Sequence, residues 1–191
     1  MLGCFRLKPY IIEEQVEYLG VIILDRGLTW RGHVKKIEGQ LSKVIYSMIT
    51  LKRFLSLESL RIVYMSFFQS IFTYCISVYG GVGDTILMPI LRLQRRAIKT
   101  ILNLTRRYPS SELCDLLNVN SFEELYKREL TRLTPIFYSK IQMQEERKYN
   151  FRNVNQLTVP LPAVRLETTK KNVGYKVIEN YNLNKQQTKT S

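Results

Sequence analysis

Hydrophobic residues recur along the chain in two rhythms, one typical of strands and the other of helices. An uninterrupted apolar run from Tyr18 to Leu24 is followed by the turn-forming sequence Asp25-Arg26-Gly27, and it predicts a strand. Gly20 inside that run predicts a bulge or the close approach of another backbone. We therefore expect a short β segment near the N-terminus.

Beyond residue 30 the apolar positions follow alternating steps of three and four, which is the period of an amphipathic helix. The members of this stripe are Val34, Ile37, Leu41, Val44, Met48 and Leu51. Lys35, Lys36 and Lys43 lie off the stripe and are expected to face solvent. A second helix is predicted from Ser56, a favourable N-cap, to about Tyr79. Its composition is apolar nearly all round, which predicts a buried central helix.

A third helix is predicted from Asp84 to about Thr105, with Pro89 tolerated because it lies close to the first turn. At about 100° per residue, the polar side of this helix carries only cations. These are Arg92, Arg95, Arg96, Lys99 and Arg106. Apolar residues cover the opposite side, so the three helices are expected to form a bundle with basic outer faces.

The charge of the chain is strongly and unevenly positive. Its 191 residues include 29 Lys and Arg against 16 Asp and Glu, a net charge of +13, and 45% of them are hydrophobic. Residues 31–107 hold thirteen basic residues against three acidic ones, so most of the excess lies in the predicted bundle. A local excess of this kind indicates a polyanionic partner, either nucleic acid or an anionic membrane surface.

In residues 109–150 the charges nearly balance, with six basic side chains and seven acidic ones. Ser110 is expected to cap a short helix that ends at Leu117, and Ser121 with Glu124 forms a capping box for a longer helix, kinked or broken near Pro135. From residue 150 the chain is rich in Asn, Thr and Lys, and we expect it to be extended and partly disordered. The predicted divisions are strands in 1–27, the basic bundle in 28–108, additional helices in 109–149 and an irregular tail in 150–191.

The residue pattern predicts no catalytic site, no metal site and no cofactor in this chain. Two-metal polymerases and nucleases need carboxylates a few ångströms apart, and neither Asp-Asp nor Asp-x-Asp occurs. Glycine signatures of nucleotide-binding loops are also missing. His33 and three widely separated cysteines, Cys4, Cys75 and Cys114, do not have the spacing of a zinc site. Scattered thiols are typical of a reducing, intracellular compartment, and the N-terminus lacks the apolar core of a signal peptide.

Residues 62–83 carry no charge and are about as long as a bilayer span. Gln69, several Ser and Thr residues and a glycine-rich end lower the hydropathy of this segment. A helix buried inside a bundle has the same composition. We therefore expect a bundle core here, and a small membrane protein that spans the bilayer at 62–83 is an alternative.

Four stretches, in order, resemble the non-LTR (LINE-type) retrotransposon reverse transcriptases, and most closely their jockey-like group. The first stretch is Tyr18-Leu19-Gly20-Val21, Leu24-Asp25, Leu28, Trp30, His33 and Ile37. The second is Leu60-Arg61, Tyr64, Ser70-Ile71-Phe72, Tyr74 and Tyr79-Gly80; the third is Leu93-Gln94-Arg95-Arg96-Ala97-Ile98-Lys99; the fourth is Tyr175 to Tyr181-Asn182. The likeness spans residues 10–183, but the Gly-Pro and Leu-Pro of the family's tail are missing, and Tyr79 and Tyr181 replace tryptophans.

This resemblance implies the palm edge and thumb of an RNA-directed DNA polymerase. Tyr18, Leu19, Gly20 and Val21 would then lie in the primer-grip region, and Trp30 and His33 would stiffen the joint between palm and thumb. The helices would hold an RNA–DNA or DNA duplex by its phosphates. The phosphate-binding residues expected from the basic helix faces are Lys35, Lys36, Lys43, Arg92, Arg95, Arg96, Lys99 and Arg106.

The family's polymerase carboxylates, an F/Y-A-D-D turn and an upstream Asp, have no counterpart in the sequence. The resemblance therefore predicts a fragment that is inactive alone, with Mg²⁺ needed only by the intact parent polymerase. Its partners would be the duplex and the missing palm and fingers, without a small-molecule substrate, and its location would be nuclear. An alternative from another class is a non-enzymatic basic helical adaptor that binds RNA or acidic proteins.

Overall fold

The structure is a computed structural model that describes residues 16–24, 30–146, 161, 170 and 172–187, and over these residues it is mainly helical, which confirms the mainly α class. Two short strands, β1 (Val16–Tyr18) and β2 (Val21–Leu24), come first. The helices are α1 (Arg31–Leu51), α2 (Leu57–Val63), α3 (Ser70–Thr73), α4 (Ile76–Tyr79), α5 (Asp84–Ile101), α6 (Leu113–Leu117), α7 (Phe122–Glu146) and α8 (Val173–Gln187). A π-helical segment, Tyr64–Gln69, joins α2 to α3. The turn predicted at 25–27 lies outside the described residues.

The apolar run that begins at Tyr18 forms two antiparallel strands rather than one. Leu19 and Gly20 make the turn between them, with φ angles of 48° and 81°. A two-residue hairpin turn of type I′ has positive φ at both positions, which glycine adopts without strain. Since nothing lies within 4 Å of the position that a Cβ of Gly20 would take, conformation accounts for this glycine better than crowding does.

Helix α1 buries one apolar side, as its periodicity predicts. The buried members of that side are His33, Val34, Ile37, Leu41, Ile45 and Met48. Two predicted members differ, because Val44 is only partly buried and Leu51 is exposed. A helix turns by about 100° per residue, so a strict three-four repeat drifts around it, and Ile45 takes the buried place predicted for Val44.

The second helix is neither continuous nor buried all round, so that prediction is wrong. Its buried residues are spaced by four: Leu60, Tyr64, Phe68, Phe72 and Ile76. In an α-helix each step of four overshoots a full turn by about 40°, which would carry such a stripe off the core. The wider π-helical turns of residues 64–69 compensate for this drift. The opposite side is open to solvent, with Ile62 exposed by 60% and Phe67 by 62%.

The helical path breaks between α3 and α4. Cys75 has a φ of 55°, in the left-handed region, and the hydroxyl of Tyr79 donates a hydrogen bond back to the carbonyl of Phe72. Residues 62–83 are therefore divided among several helical segments. Within the described part of the chain, no helix combines the length and the apolar character needed to cross a membrane.

One hydrophobic core extends from α1 to the start of α7, and it includes Leu113, Leu117, Phe122 and Leu125. Helix α5 ends at Ile101, earlier than predicted, because Asn103 turns the chain with a φ of 58°. Ser110 does not cap α6, which begins at Leu113 without a side-chain cap.

The capping box predicted at the start of α7 is confirmed. The Ser121 amide donates to Glu124 Oε2 at 2.7 Å, and the Glu124 amide donates to Ser121 Oγ at 3.2 Å. Helix α7 then continues through Pro135, so the break predicted there is wrong, and a kink at this residue stays a prediction.

The tail is not extended throughout, because residues 173–187 form helix α8. Its Val177 and Ile178 are buried, and Ile178 packs with Phe137 of α7 and with Tyr181. The amide of Asn180 also donates to Thr131 Oγ1 at 3.1 Å. Most residues of this segment are polar and its apolar stripe is short. Composition alone therefore predicted an irregular tail.

Candidate nucleic-acid interface

A cleft of about 870 Å³ opens where the C-terminal ends of α1 and α5 meet. Its walls are formed by Ile49, Lys52, Arg92, Arg96, Lys99, Thr100, Asn103, Leu104 and Arg106, and we call it the basic cleft. Five of these nine residues are cations, and none of the described residues that line it is a carboxylate. The geometry therefore concentrates positive charge in one concave place.

Two of the cations project from the middle of α5. Arg92 and Arg96 are one helical turn apart, so their side chains leave the same side of the helix, and both are exposed. The residues that directly follow them, Leu93 and Ala97, are buried in the core and fix the rotation of α5. Planar guanidinium groups held in this way suit the bidentate recognition of phosphate oxygens.

The two lysines of the cleft also build its walls. Lys52 Nζ donates to Asn103 Oδ1 at 2.7 Å and so connects the end of α1 with the chain that follows α5. Lys99 Nζ donates to the carbonyls of Arg106 at 2.9 Å and Tyr108 at 2.6 Å. An ammonium group has three N–H donors, so these internal bonds do not remove the positive charge from the cleft.

Arg106 reaches the cleft from the irregular segment after α5. The turn at Asn103 redirects the chain, and the Lys99 ammonium holds it at the carbonyl of Arg106 itself. Arg106 is exposed, and its guanidinium supplies the third arginine of the cleft.

Four of the residues predicted to bind phosphate lie elsewhere. Arg95, although exposed on α5, faces Cys114 of α6. Burial raises the pKa of the Cys114 thiol, with further increases from Glu124 and Asp115, and the positive charge of Arg95 opposes that rise. Arg95 thus leaves α5 in a different direction from Arg96, about 100° around the helix axis, and does not line the basic cleft.

The remaining three are on α1. Lys36 is half-buried, and its ammonium donates to the Gly20 carbonyl at 3.1 Å, which ties α1 to the hairpin turn. Lys35 and Lys43 are exposed, as predicted, but they do not line the basic cleft.

The predicted primer-grip residues form a hairpin tip with two attachments to the helices. Besides the bond from Lys36 to Gly20, the Tyr74 hydroxyl donates to the Leu19 carbonyl at 2.9 Å. Tyr18 pairs with Val21 across the turn, and Val21 is buried. The side chain of Leu19 is exposed.

The side chains of Trp30 and His33 are in contact at the start of α1. Their ring centroids are 6.2 Å apart in an edge-to-face arrangement, and the buried His33 ring makes a second such contact with Tyr79 at 5.0 Å. Tyr79 continues the aromatic series to Phe122. Edge-to-face contacts of this kind stabilise the relative orientation of the three rings.

Sequence reasoning missed two residues with clear structural roles. Lys52 belongs to the cleft, yet its partner Asn103 is 51 residues away, and no local pattern indicates that contact. Gln94 is buried and donates to Tyr64 Oη and to the Asn120 carbonyl, both at 3.1 Å. Burial raises the pKa of Tyr64, and the bond from Gln94 partly offsets that effect.

No protein-family model, curated protein or solved structure matches the chain. Its function therefore has to be inferred from the cleft and from the residues around it.

Proposed function

We propose that this chain is a thumb-like region of a LINE-type reverse transcriptase, which holds an RNA–DNA or DNA duplex by its phosphates. In this proposal the short hairpin belongs to the palm edge, and α1, the α2–α4 segments and α5 form the thumb-like bundle. In this proposal the chain binds the duplex and does not catalyse nucleotide transfer, because its sequence has no paired aspartates for that metal-dependent reaction.

The basic cleft is the observation that carries the proposal. Lys52, Arg92, Arg96, Lys99 and Arg106 converge there from two helices and a loop, although they are spread over 55 positions of the sequence. A surface charge that served only solubility would not need to converge in this way. Cations gathered in a concave site raise the local concentration of an anionic ligand and release counterions from a nucleic-acid backbone on binding.

The size of the cleft indicates how a nucleic acid would contact it. A volume of about 870 Å³ is within the range of small-molecule pockets and far too small to enclose a duplex. A duplex would therefore contact the cleft through the backbone of one strand. Backbone contacts of this type carry little sequence information, so binding is expected to be general.

The arrangement of the hairpin also supports the proposal. Its tip is held by Lys36 of α1 and by Tyr74, which follows the last residue of α3. The aromatic contact between Trp30 and His33 stands at the point where the chain enters α1. A palm edge and a thumb that position one primer require such a fixed relative geometry.

The test is binding of a short RNA–DNA hybrid, measured by fluorescence anisotropy over a series of salt concentrations. Each phosphate neutralised contributes a log–log slope of about −0.9, the value for B-DNA. The double variant Arg92→Gln/Arg96→Gln should bind every hybrid sequence more weakly and flatten the slope by roughly two units.

The matched control is Lys127→Gln/Arg128→Gln, which removes two exposed cations from α7, outside the cleft. Equal slopes for the wild type, the cleft variant and the control would refute phosphate binding by the cleft. A polyglutamate competitor distinguishes the adaptor alternative. Displacement of the hybrid by polyglutamate at equal charge would favour a protein-binding adaptor over a nucleic-acid grip.

A further inference from the structure

An exposed ridge of α1 forms one border of the basic cleft. Lys43, Tyr46 and Ile49 follow one another within α1 at steps of three, and Arg53 lies in the turn just after α1 ends at Leu51; all four are exposed. We call this set the α1 ridge. Ile49 belongs both to the ridge and to the lining of the cleft, so the two features are continuous.

Tyr46 is the unusual member of the α1 ridge. Its side chain is exposed by 74%, although a tyrosine ring has a large apolar face. The other side of α1 is anchored in the core by Leu41, Ile45 and Met48, so the ring stands on a rigid support. Single exposed aromatic residues are ordinary. Tyr46 differs because Lys43 lies one turn before it on α1 and Ile49, in the lining of the basic cleft, lies one turn after it.

Cations that alternate with an exposed aromatic ring are the recognition elements of single-stranded nucleic acid. The positive groove tracks the phosphates, and the aromatic face stacks on an unpaired base of any sequence. Bases inside a duplex are already stacked on their neighbours and do not present a free face. The same ring would therefore contribute little to the binding of fully paired duplex.

We propose that Tyr46 stacks on an unpaired base of a nucleic-acid strand whose phosphates occupy the basic cleft. This inference rests on the proposed function and deepens it, because it names the kind of nucleic acid that the site prefers. The preferred ligand is a strand with unpaired bases, either alone or next to a duplex, rather than a blunt duplex. The ring supplies the stacking energy, and Arg92 and Arg96 supply the electrostatic attraction.

The experiment compares two probes, a fluorescein-labelled oligothymidylate and a blunt RNA–DNA hybrid. Tyr46→Ala should weaken binding of the oligothymidylate about tenfold, the loss typical of one stacked base, and leave binding of the hybrid nearly unchanged. Tyr46→Phe should retain the affinity, because phenylalanine keeps the stacking face. The salt dependence should be the same in all three proteins, since no charge has been removed.

Phe67→Ala is the matched control, because Phe67 is also a highly exposed aromatic residue and belongs to the π-helical segment rather than to the α1 ridge. It should bind both probes as the wild type does. Unchanged oligothymidylate binding in Tyr46→Ala would overturn the stacking proposal, and if Arg92→Gln/Arg96→Gln still weakened both probes, the proposed function would stand. An equal loss for both probes in Tyr46→Ala would also overturn it, because the ring would then not distinguish unpaired from paired bases.

Discussion

The ammonium group of Lys99 donates a hydrogen bond to the backbone carbonyl of Tyr108 at 2.6 Å, nine residues further along the chain. Together with its bond to the Arg106 carbonyl, this contact holds the segment that follows α5 against the Lys99 side chain. The residue thus contributes charge to the basic cleft and also shapes its wall. A charge-removing substitution at this position is expected to have two separable effects.

Lys99→Met should lower both the stability of the fold and the affinity for nucleic acid. Hydrogen bonds that involve a charged group are worth about 1.5–3 kcal/mol, so we expect the free energy of unfolding to fall by about 1–3 kcal/mol. Urea denaturation measures this change. Arg96→Met is the control: it removes an exposed charge one turn away and should shift the unfolding free energy by no more than about 0.5 kcal/mol. Equal denaturation midpoints for the two variants would mean that the hydrogen bonds of Lys99 do not stabilise the fold.

The glycines between α4 and α5 make a second prediction possible. A Cβ added at Gly80 would lie 2.5 Å from the Ile76 carbonyl oxygen and 2.6 Å from the Tyr126 ring. Gly80→Ala should therefore destabilise the protein by about 1–3 kcal/mol, the usual cost of overpacking. Gly39→Ala is the matched contrast, because Gly39 lies within α1 with nothing near its Cβ position. There alanine should raise stability by up to about 1 kcal/mol.

Thermal melts of the two alanine variants give the answer directly, because the expected shifts have opposite signs. A wild-type melting temperature for Gly80→Ala would mean that Tyr126 does not pack against this glycine. The contact between α4 and α7 would then have to be revised.

Local patterns in the sequence predicted the elements whose stability is itself local. The stripe that begins at Val34 identified α1, and the reciprocal bonds of Ser121 and Glu124 were foreseen from their spacing alone. The all-basic side of α5 was also visible, since helical periodicity places Arg92, Arg96 and Lys99 together. These features depend on neighbours within a few turns, so one sequence suffices to recognise them.

Features that depend on distant contacts were not predicted. Lys52 joins the cleft only because α1 and α5 end side by side, and Arg95 acts on Cys114 of α6 instead of lining the cleft. The π-helical segment Tyr64–Gln69 keeps residues spaced by four on the buried side of the chain, and helix propensities do not predict it. Helix α8 exists because α7 offers an apolar surface around Phe137. In each case the tertiary environment overrides the local signal.

The π-helical segment yields a third prediction through two neighbouring phenylalanines. Phe68 is fully buried, whereas Phe67 is exposed by 62%. Phe68→Ala should lower the free energy of unfolding by about 3–5 kcal/mol, as expected for the loss of a core aromatic side chain. Phe67→Ala should change it by no more than about 0.5 kcal/mol. Similar losses in the two variants would show that the side chains are not divided between core and solvent in this way.

The buried tyrosines predict how stability depends on pH. Burial raises the pKa of Tyr126 to about 12, with a smaller contribution from Glu179, and burial also raises the pKa values of Tyr64 and Tyr79. The pKa of tyrosine in an unfolded chain is about 10. Because the folded-state values are higher, the stabilisation is complete below about pH 10. Above that pH the unfolded chain releases its tyrosine protons first, so stability falls as the pH approaches the folded-state values.

Urea denaturation at a series of pH values from about 8 to about 11 tests this prediction, because the unfolding free energy should decline progressively above about pH 10. Tyr126→Phe removes one of the three groups and should make the decline shallower. All other titratable groups are the same in the two proteins, so the difference between the two curves reports on Tyr126. Parallel curves for Tyr126→Phe and the wild type would mean that the Tyr126 hydroxyl is equally easy to ionise in the folded and unfolded states, which is incompatible with its packing against Gly80 and Gly81.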